Sequence, residues 1–397
     1  MKHIFQKSHN KIATILVGFD AGARAESDKY SPGMAHMLEH MMFKGTAKRN
    51  YLELPRQIAF LGGDSNAFTS HEMVCYYITL PYENLEAGME ILSDMVLHST
   101  FPEEEFLKEK EVVLEECLSA KDEVTSPLND AYSENFWSGR LATSIIGTEE
   151  SIKGFTHGEL LKFYREFYDT NSAILAVSGD LDPEHVAELS KKYFGPETSF
   201  VRKTAPDNFA FKSGRTVEIS RDSLEHNYVY ISYPGLNVHQ ETDAAFDILS
   251  EVFGSGMDSR LFTEVREKNN LCYSIGAHNS AYLEAGSYNI FSSTRAENLD
   301  KMLALIDSEV AKIKTELISE EELTRAKNKV KAHVYSTLDS GRMKLMDTFN
   351  RVFFNLPSFD EVVSKINQVT REDVLTLANR IFDEDKKMIF VLNERGE

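Results

Sequence analysis

The chain has 397 residues, 42% of them hydrophobic and 11% aromatic, enough apolar material for a large core and for two or more domains. Its formal charge of −20 argues against nucleic acid and anionic membrane as partners, because both are polyanions that would repel it. Three cysteines, Cys75, Cys117 and Cys272, are too few and too scattered for a disulfide framework or a cysteine-rich metal site. The first residues carry no signal-peptide pattern and no run is long and apolar enough to span a membrane, so a cytoplasmic setting is expected.

Residues 12–19 (IATILVGF) form a short β-branched apolar run ending at Asp20-Ala21-Gly22, which predicts a buried strand. The stretch 33–43 (GMAHMLEHMMF) predicts a helix, since good helix formers fill it and Ser31-Pro32-Gly33 punctuates its start. A second helix is expected over 51–60, then strands over 66–69 and 73–80 joined through Ser70-His71-Glu72. Helices over 84–97, 103–121 and 156–167 follow, with a strand at 173–177. Strands mixed with helices, without strict alternation, predict an α+β fold with layered helices and a mostly antiparallel sheet.

The helix at 33–43 carries His36 and His40 four residues apart, so both imidazoles leave one face a turn apart, with Glu39 close to that face. The spelling H-x-x-E-H is the inverse of the H-E-x-x-H zinc-protease helix. A helix with two satisfied core histidines is the bland alternative. It accounts poorly for two histidines in register with a glutamate and flanked by Met37, Leu38, Met41 and Phe43. A hydrolytic zinc site wants three protein ligands and an open fourth position. Composition leaves the third ligand open among Glu103, Glu104, Glu105, Glu109, Glu111, Glu115 and Glu116, with Cys117 a poorer choice beside so many carboxylates.

After residues 196–215, a polar stretch with two prolines, the order of elements begins again with a strand at 229–233, a helix at 243–253 and a turn at 254–256. Residues 103–110 resemble 320–327 at a displacement of 217, and 155–161 resemble 369–375 at 214. Phe167-Tyr168-Asp169, ahead of a strand, recurs as Ile381-Phe382-Asp383. These near-constant offsets predict two copies of one domain: a metal-binding copy at 1–200, a linker at 201–214 and a metal-free copy at 215–397. Under this register Glu109 faces Ala326 and Glu116 faces His333, and the second copy has no H-x-x-E-H.

His36-Met37-Leu38-Glu39-His40 followed by Glu109 and Glu116 resembles the pitrilysin and mitochondrial-processing-peptidase family of zinc endopeptidases, the inverzincins. The resemblance runs almost the whole chain. It includes Ala21-Gly22-Ala23-Arg24, Gly45-Thr46, Leu61-Gly62-Gly63, Gly147-Thr148-Glu149-Glu150-Ser151-Ile152, Tyr233-Pro234-Gly235, Gly256-Met257-Asp258-Ser259-Arg260-Leu261 and Arg266-Glu267-Lys268. It implies one zinc ion per chain held by His36, His40 and Glu116, Glu39 as general base toward a zinc-bound water, and Glu109 as a supporting carboxylate. It also implies that Arg266 and Tyr273 hydrogen-bond substrate and the tetrahedral intermediate. Without it, Arg266 reads as a surface cation and Tyr273 as a core strand residue. Asn66, Ala67, Phe68 and Thr69 match the edge strand to which the family adds its peptide substrate.

The resemblance further implies a homodimer enclosing a chamber, with Arg266 and Tyr273 supplied in trans; a non-catalytic subunit of a related complex is the alternative. By the same comparison the chain is expected to begin about one strand late, and Arg140-Leu141-Ala142-Thr143 stands where relatives often have Pro-Leu-Gly-Arg.

Overall fold

The computed structural model describes residues 1–206, 209–212, 214–241 and 243–394. The chain divides into two compact units, neither of them a contiguous half. One comprises Met1–Ala120, Thr143–Asp207 and Leu338–Asn355; the other comprises Lys121–Ala142, Asn208–Thr337 and Leu356–Glu397. The fold is α+β, and each unit is built on one five-stranded sheet.

In the first unit the strands are β1 (Lys2–Lys7), β2 (Ile12–Phe19), β3 (Asp64–Thr69), β4 (Val74–Pro81) and β5 (Ala173–Gly179), in the spatial order β1-β5-β2-β4-β3. All neighbours are antiparallel except β1 and β5. The strand β1 is an element that the sequence patterns do not place. Its sequence KHIFQK is half-buried, with too few apolar residues to register as a buried run.

The apolar run of β2 follows from burial on both sides. Ala13, Ile15, Val17 and Phe19 face a core shared with helices Met34–Met41 and Leu85–Leu97, while Leu16 turns to the opposite face. There, with Cys75, Ile174 and Ala176, it meets Leu345, Phe349 and Phe353 of helix Gly341–Phe354. Gly18 lies beneath that helix: a Cβ at this position would stand 2.3 Å from Phe349 Cζ.

The second unit holds β6 (Arg215–Arg221), β7 (Asn227–Pro234), β8 (Ile275–Ala281), β9 (Gly286–Thr294) and β10 (Met388–Glu394), in the order β6-β10-β7-β9-β8. Again only the first pair, β6 and β10, is parallel. Strand for strand this is the first sheet's order, so the sequence repeat is a repeat of topology. Helices Glu103–Asp122 and Glu320–Asp339 are each 20 residues long, and His157–Phe167 and Arg371–Ile381 are each 11. The last two even share a cap, with Thr156 and Thr370 each accepting from an amide three residues on. Helix Ser126–Phe136 covers the second face of this sheet, where Tyr132, Phe136 and Trp137 pack with Met388, Phe390 and Leu392.

None of the three cysteines forms a disulfide, and no helix among the described residues is long and apolar enough to cross a membrane. Phe349 is fully buried over Gly18. Phe349→Ala is expected to lower the stability of the chain by about 3–5 kcal/mol, read from denaturant unfolding.

Candidate metal centre

Helix Met34–Met41 starts at Gly33, whose φ of 93° is a left-handed conformation that favours glycine. A Cβ there would stand 2.3 Å from the Ile146 carbonyl oxygen. Glu26, fully buried at the end of the 3₁₀ turn Ala23–Glu26, accepts at Oε1 from the amides of Gly33 and Ala35, both at 3.0 Å. Its carboxylate satisfies amides that a first helical turn leaves free and complements the positive end of the helix. In the same turn Arg24 pairs with Glu72 at 2.6 Å, both side chains buried.

From this anchored helix His36 and His40 meet helix Glu103–Asp122. His40 Nε2 lies 3.2 Å from Glu116 Oε2 and His36 Nε2 lies 3.7 Å from Glu116 Oε1. One donor atom from each of the three lies within 4.8 Å of the others, and no other such group occurs among the described residues. Two donors ~2.1 Å from one tetrahedral zinc ion stand ~3.4 Å apart, so the separations and the two-imidazole, one-carboxylate set both fit that ion. Glu116 is the exposed member, which leaves the group open on its side.

The same geometry separates Glu116 from the other glutamates of its helix. Glu103, Glu104, Glu111 and Glu115 are exposed, Glu105 pairs with Lys108, and Cys117 is packed into the core. Glu109 is buried one helical face along, where its Oε1 is 2.9 Å from His40 Nδ1 and its Oε2 pairs with the Lys44 ammonium. A proton on His40 Nδ1 donated to Glu109 leaves the Nε2 lone pair for the cluster. Glu39 stands beside the histidines, and the Thr69 hydroxyl donates to its Oε2.

Burial, and after it the neighbouring His40, lowers the His36 imidazole to about 4. Burial acts on His40 as well, but the Glu109 hydrogen bond and the charges of Glu116, Glu109 and Glu39 outweigh it and leave His40 above its ordinary value. Burial raises the Glu39 carboxyl, and the opposing Thr69 hydrogen bond and His40 charge do not cancel it. For Glu109, burial is outweighed by the hydrogen bonds from His40 and Lys44, which hold the carboxyl below its ordinary value.

Asn66, Ala67, Phe68 and Thr69 lie on β3, the edge strand of the first sheet, with Thr69 at the Glu39 end. In the second unit Arg266 lies near the end of the π-helical turn Phe262–Glu267, its guanidinium 4.5 Å from the Phe262 ring centroid and 5.3 Å from that of Tyr273. Tyr273 is 84% exposed, which corrects its reading as a core strand residue: it precedes β8 rather than lying within it. Ala326 is buried and His333 exposed on helix Glu320–Asp339, and neither belongs to a cluster of metal-binding donors. Sequence reasoning missed Glu26 and Lys44. Each acts through a contact that no helical or strand period encodes, although four-residue spacing from His40 marks Lys44 in retrospect.

Residues 3–149 match the family described as Insulinase (Peptidase family M16), and residues 154–330 match the Peptidase M16 inactive domain. An "Uncharacterized zinc protease" of Rickettsia bellii (strain RML369-C) is 30% identical over 380 residues, 94% of this chain and 90% of that protein. The chain belongs to peptidase family M16. This is the pitrilysin and mitochondrial-processing-peptidase family that the H-x-x-E-H helix resembles. Another M16 relative, the mitochondrial-processing peptidase subunit beta of Bos taurus, is 28% identical over 340 residues, 83% of this chain and 69% of that protein. The fold is also that of a solved peptidase M16 inactive domain from Pseudomonas fluorescens, with a TM-score of 0.91 at 19% identity over 99% of this chain and 95% of that one. A protease from Helicobacter pylori superposes with a TM-score of 0.88 at 24% identity, over 98% and 96%.

An NMR titration of the metal-free protein is expected to keep His36 neutral down to about pH 4, while His40 protonates above the ordinary imidazole value. A His36 midpoint near the unperturbed ~6.5 would contradict the burial described above.

Proposed function

We propose that this M16 chain is a zinc metalloendopeptidase that hydrolyses peptides or short unfolded segments as a homodimer. The convergence of His36, His40 and Glu116, with Glu39 alongside, carries the reading. The names of the Rickettsia and Bos taurus relatives, a zinc protease and a processing-peptidase subunit, support the class. His36, His40 and Glu116 would hold one zinc ion per chain, which would polarise a scissile carbonyl and make a water acidic enough to deprotonate near neutral pH.

The protein's residues supply the remaining steps. Glu39 accepts the proton of the attacking water and returns it to the leaving amine, and burial makes its carboxylate a stronger base than a solvated glutamate. Thr69 holds Glu39 by one oxygen and so aims the other. Glu109 keeps His40 in the tautomer whose Nε2 lone pair is free. The outer edge of β3 offers backbone groups to an extended peptide, a mode of binding that tolerates many side chains. Arg266 and Tyr273 donate hydrogen bonds to the substrate and to the developing oxyanion, reaching the active site from a second copy of the chain.

A quenched peptide should be cleaved by the zinc-loaded protein and spared after chelation. Glu39→Gln should retain zinc but lose about 10²–10⁴ in kcat/KM, and unchanged cleavage would remove Glu39 from the mechanism. For the role in trans, Glu39→Gln and Arg266→Ala proteins should each be inactive alone. An equal mixture should recover about a quarter of wild-type activity, because half the dimers then hold one intact site. No recovery from a mixture shown to form mixed dimers excludes the arrangement in trans.

A further inference from the structure

Lys44 lies just beyond helix Met34–Met41, where the amides of Phe43 and Lys44 still bond to the carbonyls of His40 and Met41. The last turn therefore continues, and Lys44, four residues after His40, emerges on the same face. Its ammonium reaches Glu109 Oε2 while Glu109 Oε1 lies 2.9 Å from His40 Nδ1. Glu109 is 5% exposed, and these two side chains are its only charged or hydrogen-bonding partners among the described side chains. A buried carboxylate with one partner can turn about its Cγ–Cδ bond and offer either oxygen. With Oε2 held by Lys44, Oε1 alone remains for His40.

We propose that Lys44 is a positioning residue for the metal ligand His40, acting through Glu109. Its ammonium clamps the carboxylate that orients the imidazole, so the metal affinity of the cluster depends on a side chain that does not face it. The second unit has no equivalent chain of contacts, because buried Ala326 stands where the first unit has Glu109. The proposal rests on the metal-binding reading of His36, His40 and Glu116. It deepens that reading by extending the site to a residue outside the H-x-x-E-H motif.

The test measures zinc affinity by competition with a chromophoric chelator, the visible spectrum of the cobalt(II)-loaded protein, and thermal unfolding without metal. These are compared for the wild-type chain, Lys44→Met, Lys44→Gln and Lys44→Arg. Loss of the clamp should weaken zinc binding about 10-fold or more in Lys44→Met and Lys44→Gln and alter the cobalt spectrum, the size expected when an orienting contact behind a ligand is lost. Lys44→Arg, which keeps a cation within reach of Glu109, should restore both. Zinc affinity within about twofold of wild type and an unchanged cobalt spectrum in either neutral variant would overturn the proposal, even if unfolding shifts, since Lys44 would then serve the fold alone. A wild-type chain that binds no zinc would instead overturn the metal reading itself.

Discussion

The candidate site depends on a buried carboxylate at each end of one short helix. At the start, Glu26 Oε1 accepts from the amides of Gly33 and Ala35 and fixes where helix Met34–Met41 begins and how it points. At the far end, Glu109 holds His40 and is itself held by Lys44. Two turns of helix are too short to be stable from propensity alone, so tertiary contacts have to fix the helix. Glu26 and Glu109 do so with charge-assisted hydrogen bonds in a dry setting, where such bonds are directional and strong. Precise placement matters here because three donors must converge on one point.

The two units share a fold but differ in the residues at the candidate site. Both keep the same sheet order, the same parallel first pair, a 20-residue helix in the same place and the same Thr-capped 11-residue helix. The second unit carries Ala326 and His333 at the positions where the first has Glu109 and Glu116. None of these differences disturbs a strand register or a core layer. The helix face that held Glu109 stays buried with alanine, and the position of Glu116 stays exposed with histidine. Fold and chemistry rest on different residues, so one can persist without the other.

Much of the architecture was legible because strong periodicity and compact turns carry it. The strand at 12–19 occupies Ile12–Phe19, and the helices around 33–43, 84–97 and 103–121 lie where their patterns place them. Weaker signals failed for specific reasons. The half-polar sequence of β1 hides a strand whose pairing partner lies far along the chain, with Lys2 opposite Ile174. Helices Ser126–Phe136 and Gly341–Phe354 were invisible as members of their units, because each covers a sheet made from the other half of the sequence. A search for contiguous repeats has no means of expressing such an exchange.

The sequence by itself determined the spacing of His36, Glu39 and His40, since a helical period puts them on one face whatever the surroundings. It also determined the duplication, since matched segments recur at near-constant offsets. By composition Glu116 is one of seven glutamates within fourteen residues, and the family resemblance singled it out. Only the tertiary structure supplies the physical reason, because neighbouring carboxylates of one helix have the same composition and differ only in what they face. Thr69 on Glu39, Glu26 at the helix start and Lys44 behind Glu109 likewise come from the tertiary structure. Each of these is a contact between segments whose separation along the chain obeys no period, and only the packing of the sheet and its helices decides it.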